Sequence, residues 1–291
     1  MKTGVIGLGA MGGPMAANLH KAGFLHGAWN RTHERAMKLS AETGLALANS
    51  PQALARECDL IITSLSNDAA LLEIIEMMSP GLVPGKIIVD TSTISVQAAR
   101  QVAQGLAGAA VSFLDAPVSG GVEGARQGKL AMMVGGDASV LERVRPALSV
   151  LATKISHIGR VGSGQGTKAV NQLMVAGINQ AVTESLAFGQ ALELPMAKVI
   201  DILSAGAASN WFLTHRGATM LREEFAPGFK VALHHKDLSI CRQMAQSFGV
   251  QLPVVEMTLI HYKRLMKSGF GESDISALFG QKRSLLQHRE E

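Results

Sequence analysis

Two patterns of apolar residues divide this chain. Up to Gly159, short apolar runs of strand length alternate with segments whose apolar residues recur at helical spacing, and after it nearly every segment has the helical pattern. Such alternation is typical of a mostly parallel sheet with helices on both faces. We therefore predict an α/β domain with a doubly wound sheet at residues 1–161 and an all-α domain at residues 162–291.

The first half predicts a series of short strands joined by helices. The predicted strands lie at residues 2–6, 25–29, 45–48, 59–65, 86–90, 112–114, 130–134 and 154–158. Ligands of such sheets lie beyond the carboxyl ends of the strands. This rule makes the loops Leu65–Ser66 and Thr91–Thr93 candidate ligand contacts.

A glycine-rich turn follows the first predicted strand directly, and a helical pattern follows the turn. The turn consists of Gly7-Leu8-Gly9-Ala10-Met11-Gly12. In this context the pattern predicts a dinucleotide site. Gly7 makes the tight turn, Gly9 lets the backbone approach the pyrophosphate, and Gly12 lets helix and strand pack closely. The alternative is a glycine-rich turn that binds no ligand.

The second predicted strand ends at Asn30-Arg31-Thr32. In NAD-selective sites an Asp or Glu stands here and accepts hydrogen bonds from the ribose hydroxyls. Without a carboxylate to repel it, a 2′-phosphate can be bound by the Arg31 guanidinium and the Thr32 hydroxyl. We therefore predict a preference for NADP, with NAD as the second cofactor to test. The alternative is that Thr32 caps the next helix and Arg31 is solvated.

The strand predicted at 112–114 leads into the loop Asp115–Gly121, in which a proline precedes a Ser-Gly-Gly sequence. The Ser119 hydroxyl and the backbone N–H groups of Gly120 and Gly121 can form a concavity suited to a carboxylate. The alternative is an ordinary turn.

A glycine-rich hinge, Gly159–Asn171, separates the two halves and leads into a long helix predicted from Thr167 to Leu192. Lys168 and Asn171 lie three residues apart on one face of its first turn. The Lys168 ammonium can donate a proton to a carbonyl oxygen as hydride reaches the carbon, and Asn171 can orient the lysine or the substrate. A helical lysine more commonly extends to water, and this alternative stays open.

Further helical segments are predicted at 197–203, 211–221, 231–248, 253–267 and 273–286. Adjacent His234 and His235 point to different helix faces, so we predict no metal site there. Lys236 and Asp237 are candidates for facing a cofactor and a substrate. The alternative is that they form a surface charge pair. The mixed charges from Lys282 to Glu291 predict a frayed, solvated terminus.

Composition and net charge indicate which kind of ligand the chain binds. The net charge of +4 is spread without a long basic run and aromatic residues make up 4%, which argues against nucleic-acid binding and favours small anionic ligands. We predict no leader and no membrane span. Cys58 and Cys241 are predicted to be buried thiols of a cytoplasmic protein. The long apolar helix favours a homodimer or homotetramer.

Four separated motifs resemble those of the β-hydroxyacid dehydrogenase family, which includes 3-hydroxyisobutyrate dehydrogenase, tartronate semialdehyde reductase and glyoxylate/succinic semialdehyde reductase. The motifs are Gly7–Leu19, Asp115–Gly121, Gly162–Asn171 and Lys236–Leu238, and together they span most of the chain. The resemblance implies an N-terminal Rossmann domain and a helical C-terminal domain joined by a long helix, with the active site in the cleft between them.

The resemblance also implies roles for the matching residues. Lys168 matches the catalytic lysine and Asn171 the substrate-orienting asparagine. Ser119, Gly120 and Gly121 match the loop that holds the substrate carboxylate. Thr93 and Lys236 match cofactor contacts beside the nicotinamide, and substrate choice is expected to depend on side chains that include Thr93. Phe229 and Asp237 resemble substrate-side positions of the glyoxylate reductase branch. Leu65-Ser66 departs from the Leu-Pro common in the family, with little consequence expected because the backbone makes that contact.

Together these features predict an NADPH-dependent reductase of a small aldehyde or 2-oxo acid, of the glyoxylate or succinic semialdehyde type. A second possibility is an NAD-dependent dehydrogenase of 3-hydroxyisobutyrate or another β-hydroxy acid. A possibility of another class is a non-catalytic nucleotide-sensing module.

Overall fold

The computed structural model describes residues 1–287 of the chain. This part forms two compact units, Met1–Lys168 and the stretch that begins at Ala169. An α/β unit followed by an all-α unit confirms the predicted fold class. The predicted boundary between residues 161 and 162 stays a prediction, because compactness does not show where a domain folds independently.

The first unit is built on one sheet of eight strands. The strands are β1 (Thr3–Ile6), β2 (Leu25–Trp29), β3 (Leu60–Thr63), β4 (Ile87–Asp90), β5 (Ser112–Asp115), β6 (Val118–Ser119), β7 (Leu130–Gly135) and β8 (Ala152–Gly159). They lie in the order β2-β1-β3-β4-β5-β7-β6, with β8 also paired to β7. The first five run parallel, whereas β7 is antiparallel to β5 and β6. The strand order reverses at β1, which is where such sheets bind ligands.

Seven α-helices belong wholly to this unit. They are α1 (Gly12–Lys21), α2 (His33–Thr43), α3 (Pro51–Glu57), α4 (Asp68–Met78), α5 (Val96–Ala107), α6 (Gly121–Gln127) and α7 (Ala138–Leu148). Both faces of the sheet are packed, because neighbouring strand residues such as Val5 and Ile6 belong to different apolar clusters and are both fully buried. Burial on both faces explains why these strands are continuous apolar runs.

The strand predicted at 45–48 is wrong. Only Leu47 forms an isolated bridge, to Ala28 of β2. The stretch ends because Ser50 accepts a hydrogen bond from the Ala53 N–H and so starts α3 at Pro51. The prediction also missed β6, a two-residue strand too short to show a period.

The second unit is helical. Its helices are α8 (Ser163–Ala191), whose first turn lies in the first unit, α9 (Met196–Ala205), α10 (Trp211–Leu221), α11 (Val231–Gln246), α12 (Pro253–Lys267) and α13 (Leu278–Gln287). They enclose an apolar cluster that includes the fully buried Tyr262 and Phe279. Cys58 and Cys241 are both buried, as predicted.

Two predicted helix boundaries differ from the structure. Helix α8 begins at Ser163, one turn before Thr167, because the Asp115 carboxylate accepts hydrogen bonds from the N–H groups at its start. The terminus predicted to be frayed from Lys282 is instead helical up to Gln287, and Lys282 is buried in an ion pair with Glu184, whereas residues 284–286 are exposed, as the predicted solvation requires. The remaining residues, 288–291, lie outside the described part.

Within residues 1–287, every helix is too short or too polar to cross a membrane. The cytoplasmic location and the homodimer or homotetramer stay predictions.

Candidate functional site

The glycine turn between β1 and α1 has the geometry of a dinucleotide cradle. Gly7 has a φ of +94°, and a Cβ there would lie 2.2 Å from the Ser64 carbonyl oxygen. A Cβ at Gly12 would lie 1.8 Å from the Gly7 carbonyl oxygen, so both positions require glycine. A Cβ at Gly9 would meet nothing within 4 Å. The turn is therefore closely packed at its two ends and open in the middle.

The open side of the turn presents hydrogen-bond donors. Among residues 1–287, no backbone group accepts a hydrogen bond from the N–H of Gly9, Ala10 or Met11. These groups precede the N-terminus of α1, where the helix dipole favours negative charge. Donors beside an open glycine fit the pyrophosphate of a dinucleotide.

At the end of β2, Asn30 has a structural role that the sequence did not reveal. Its Oδ1 accepts a hydrogen bond from the Leu8 N–H at 2.9 Å, and its Nδ2 donates to the Thr32 carbonyl at 2.8 Å. Asn30 thus ties the glycine turn to the loop after β2. The alternative is confirmed in part: Thr32 occupies the N-cap position of α2 and Arg31 is exposed, but the Thr32 side chain accepts no capping hydrogen bond.

Arg31 extends from the same loop. Its side chain is 76% exposed and lies 3.6 Å from the Glu73 carboxylate. Exposed ion pairs of this kind contribute about 1 kcal/mol or less. The guanidinium therefore remains available to an anionic ligand.

A buried polar network joins the loops after β3 and β4. The Asp90 Oδ1 accepts hydrogen bonds from the hydroxyls of Thr63 at 2.7 Å and Ser92 at 2.6 Å. The Ser92 hydroxyl oxygen in turn accepts from the Leu65 N–H at 2.7 Å. Burial raises the pKa of Asp90 to about 6. Asp90 thereby holds Leu65–Ser66 beside the loop that carries Thr93.

The carboxylate of Asp115, at the end of β5, is the cap of α8. Its oxygens accept hydrogen bonds from the N–H groups of Gly162 at 2.7 Å and Gln165 at 2.9 Å. Burial raises the pKa of this carboxyl, and the backbone N–H groups oppose that rise. The contact holds the first turn of α8 against the sheet.

Lys168 lies one turn further along α8 and points back to the same loop. It is 8% exposed, and its Nζ donates to the Val118 carbonyl at 2.8 Å. The next residues are Ser119 and the two glycines, whose φ angles of +124° at Gly120 and +61° at Gly121 require glycine-like freedom. Within the first unit, the structure thus brings the predicted acid and the predicted carboxylate loop together. The alternative of a lysine extending to water is wrong.

The second unit contains another polar chain, and its central member was not predicted. The Asn171 Nδ2 donates to the Gln172 Oε1 at 2.8 Å, and the Gln172 Nε2 donates to the Asp237 carboxylate at 2.6 Å. Asp237 also pairs with the Lys236 Nζ at 2.8 Å. Gln172 therefore links three predicted site residues. Only its spacing of one residue from Asn171 could have drawn attention to it.

The Lys236–Asp237 charge pair of the alternative is present, but Asp237 is 5% exposed, so its predicted location at the surface is wrong. Phe229 packs against the fully buried His234, with ring centroids 5.0 Å apart. The Nε2 of His234 lies 3.1 Å from the Gln172 carbonyl oxygen. Asp237 and His234 thus both contact Gln172 of α8, and Phe229 packs against His234.

Two family models match the chain. The NAD binding domain of 6-phosphogluconate dehydrogenase matches residues 2–159, and the NAD-binding domain of NADP-dependent 3-hydroxyisobutyrate dehydrogenase matches residues 162–281.

Among curated proteins, the chain is 34% identical to 2-hydroxy-3-oxopropionate reductase of Escherichia coli, with 99% of both chains covered. It is 33% identical to 2-(hydroxymethyl)glutarate dehydrogenase of Eubacterium barkeri, over 96% of this chain and 93% of that one. A solved structure of Mycobacterium tuberculosis 3-hydroxyisobutyrate dehydrogenase with L-serine superimposes with a TM-score of 0.89 at 32% identity. It covers 97% of this chain and 99% of the other.

Proposed function

Since the chain belongs to the β-hydroxyacid dehydrogenase family, whose members are NAD(P)-dependent oxidoreductases acting on CH–OH groups, we propose that it is an NADPH-dependent reductase of a small aldehyde or 2-oxo acid. The observation that carries this proposal is the buried Lys168 ammonium, held 2.8 Å from the carbonyl of Val118 and directly before the Ser119–Gly121 loop. Because these relatives are enzymes, we do not favour the hypothesis of a non-catalytic nucleotide-sensing module.

Lys168 is the proposed general acid. When bound, the reduced nicotinamide supplies a hydride to the carbonyl carbon. The Lys168 Nζ donates a proton to the carbonyl oxygen and stabilises the negative charge that develops there. Because the ammonium is already held in place by a backbone carbonyl, little ordering of the side chain is needed during the reaction.

The Ser119–Gly121 loop is the proposed carboxylate contact. The Ser119 hydroxyl and the N–H groups of Gly120 and Gly121 can donate hydrogen bonds to an anion. A carboxylate bound there would place a nearby carbonyl group close to Lys168, which favours short oxo acids and semialdehydes. The similarity to 2-hydroxy-3-oxopropionate reductase supports this substrate class.

The remaining assignments follow the family pattern. We propose that Asn171, Phe229 and Asp237 contact the substrate, that Thr93 contacts both ligands, and that Lys236 contacts the cofactor. The polar chain through Gln172 supports the grouping of Asn171, Asp237 and Lys236.

The proposed preference for NADPH rests on the loop after β2. Asn30 provides no carboxylate to accept hydrogen bonds from a ribose and to repel a phosphate, and the exposed Arg31 can bind the phosphate. The backbone N–H groups of Gly9, Ala10 and Met11 are the proposed pyrophosphate contacts.

A panel of short aldehydes, 2-oxo acids and β-hydroxy acids, assayed with NADPH, NADH and their oxidised forms, tests the proposal. We expect the highest kcat/KM for glyoxylate or succinic semialdehyde with NADPH. Faster oxidation of 3-hydroxyisobutyrate with NAD would contradict it. That outcome would favour the second candidate, which the similarity to the M. tuberculosis enzyme supports.

A further inference from the structure

Gln165, in the first turn of α8, bonds to the backbone on both sides of Thr93. Its Nε2 donates to the Ser92 carbonyl at 2.8 Å, and its Oε1 accepts from the Ile94 N–H at 3.2 Å. The residue is 1% exposed. One side-chain amide therefore holds the two residues that flank Thr93.

The orientation of this amide is determined by its partners. The Ser92 carbonyl can only accept and the Ile94 N–H can only donate, so the Gln165 amide fits in one orientation. A carboxylate in its place would lack the donor, and a thioether would leave both backbone groups without partners. Buried groups without partners are costly, so the contact specifies the position of the loop.

The next turn of the helix carries the proposed acid. The Gln165 backbone N–H donates to the Asp115 carboxylate at 2.9 Å, and Lys168 follows three residues later with its Nζ on the Val118 carbonyl. Gln165 thus lies between two anchors of α8. Ser92 also connects, through its hydroxyl, to Asp90 and to the Leu65 N–H.

We propose that Gln165 is a positioning residue for the reduction: it sets the loop at Thr93, and with it the nicotinamide, relative to Lys168. This inference rests on the proposed roles of Lys168 and Thr93. The hydrogen bonds of the Gln165 side-chain amide are to the backbone of Ser92 and Ile94. Its effect should therefore appear in turnover and not in the binding of the part of the cofactor held by the glycine turn.

The test compares Gln165→Glu and Gln165→Met with Gln180→Met. Gln180 is a buried glutamine of the same helix that bonds to Thr258 and His261 in the second unit. We expect kcat to fall about 10- to 100-fold in both Gln165 variants and to be unchanged in Gln180→Met. The affinity for ADP-ribose 2′-phosphate, which lacks the nicotinamide, should not change in any variant. The deuterium isotope effect with 4-deuterated reduced cofactor should increase only in the Gln165 variants.

A pH series on Gln165→Glu separates positioning from a general loss of packing. At 1% exposure, desolvation favours a protonated glutamic acid at this position, and the acidic Asp115 and Asp90 act in the same direction, whereas Lys168, three residues along the same helix, acts in the opposite direction. Once protonated, its O–H can donate to the Ser92 carbonyl again. The ratio of variant to wild-type kcat should therefore increase as the pH is lowered from 8 to 6, while that of Gln165→Met stays constant.

Two outcomes would overturn the inference: Gln165 variants with wild-type kcat, or a Gln165→Glu ratio that does not change with pH. If Gln165→Met does not fold, the isosteric glutamate variant and its pH series decide. Lys168→Ala, assayed in parallel, keeps the two proposals distinct. Wild-type turnover in Lys168→Ala would contradict the proposed role of Lys168 as the acid. If Lys168→Ala is impaired and the Gln165 variants turn over like wild type, only the positioning role of Gln165 is contradicted.

Discussion

Helix α8 carries one polar network in each compact unit, and the two networks are built differently. In the first unit, Asp115, Gln165 and Lys168 all bond to backbone atoms. In the second, the side chains of Asn171, Gln172 and Asp237 bond to one another and to Lys236. Backbone partners move only when a strand or loop moves, whereas side-chain partners can change rotamer. The first arrangement therefore suits an acid that must be placed closely, and the second suits contacts that adapt to a substrate.

The largest effect is expected in the network of the first unit, whose members bond to backbone atoms. Lys168→Ala should lower kcat by about 10² to 10⁴, the usual cost of losing a positioned acid, while cofactor affinity measured by fluorescence titration stays near the wild-type value. Lys198→Ala, at an exposed position of α9, is the control. A Lys168→Ala enzyme with normal kcat would remove the reason for treating the first network as catalytic.

A second prediction concerns pH and the buried Asp90. Its pKa is raised from 3.8 to about 6, so between these values the folded protein holds a proton that the unfolded chain has released. Stability should therefore fall as the pH rises from about 4 to 6. Asp90→Asn cannot ionise, and its free energy of unfolding relative to wild type should rise by up to about 3 kcal/mol over that range.

Urea unfolding at several pH values measures this difference. Asp137→Asn is a matched control, because hydrogen bonds from Ser139 lower the pKa of Asp137, and its difference from wild type should change in the opposite direction. If the differences in free energy of unfolding between each variant and wild type changed with pH in the same direction for Asp90→Asn and Asp137→Asn, Asp90 would not be holding a proton in the folded protein.

A smaller effect is expected from the side-chain network. Gln172→Leu removes the hydrogen-bond donor to the buried Asp237 and the acceptor for Asn171, which should cost about 1–3 kcal/mol of stability. KM for the substrate should rise more than kcat falls. Gln190→Leu is the control, since the Oε1 of that glutamine accepts no hydrogen bond from residues 1–287. A fall in kcat as deep as that of Lys168→Ala would show that the two networks act alike.

The smallest effect is expected at the exposed Arg31, which belongs to neither network. Arg31→Ala should lower kcat/KM for NADPH about fivefold, corresponding to about 1 kcal/mol, and leave NADH unaffected. Glu73→Gln, which removes the partner of Arg31, should not weaken NADPH use. Equal losses with both cofactors would place Arg31 outside phosphate recognition.

The sequence pattern predicted those structural features that depend only on residues close together in the chain. The glycine turn was predicted residue by residue, because tight turning, close packing and open approach each depend on the absence of a Cβ. The strands were found because burial on both faces makes them apolar runs. The strand expected at 45–48 was wrong because the run makes only an isolated bridge, from Leu47 to Ala28 of β2, before Ser50 starts α3.

The sequence alone determined the α/β order of the first half, the helical second half and the glycine turn, and through the family resemblance it indicated Lys168 as the candidate acid. Only the tertiary structure decided which polar residues hold that acid and its neighbours in place. Asp115 meets Gly162 across 47 positions, Gln165 meets Ser92 across 73, and Gln172 meets Asp237 across 65. Such hydrogen bonds leave no periodic trace in the sequence, because a buried polar residue is specified by partners that only the folded chain brings within reach.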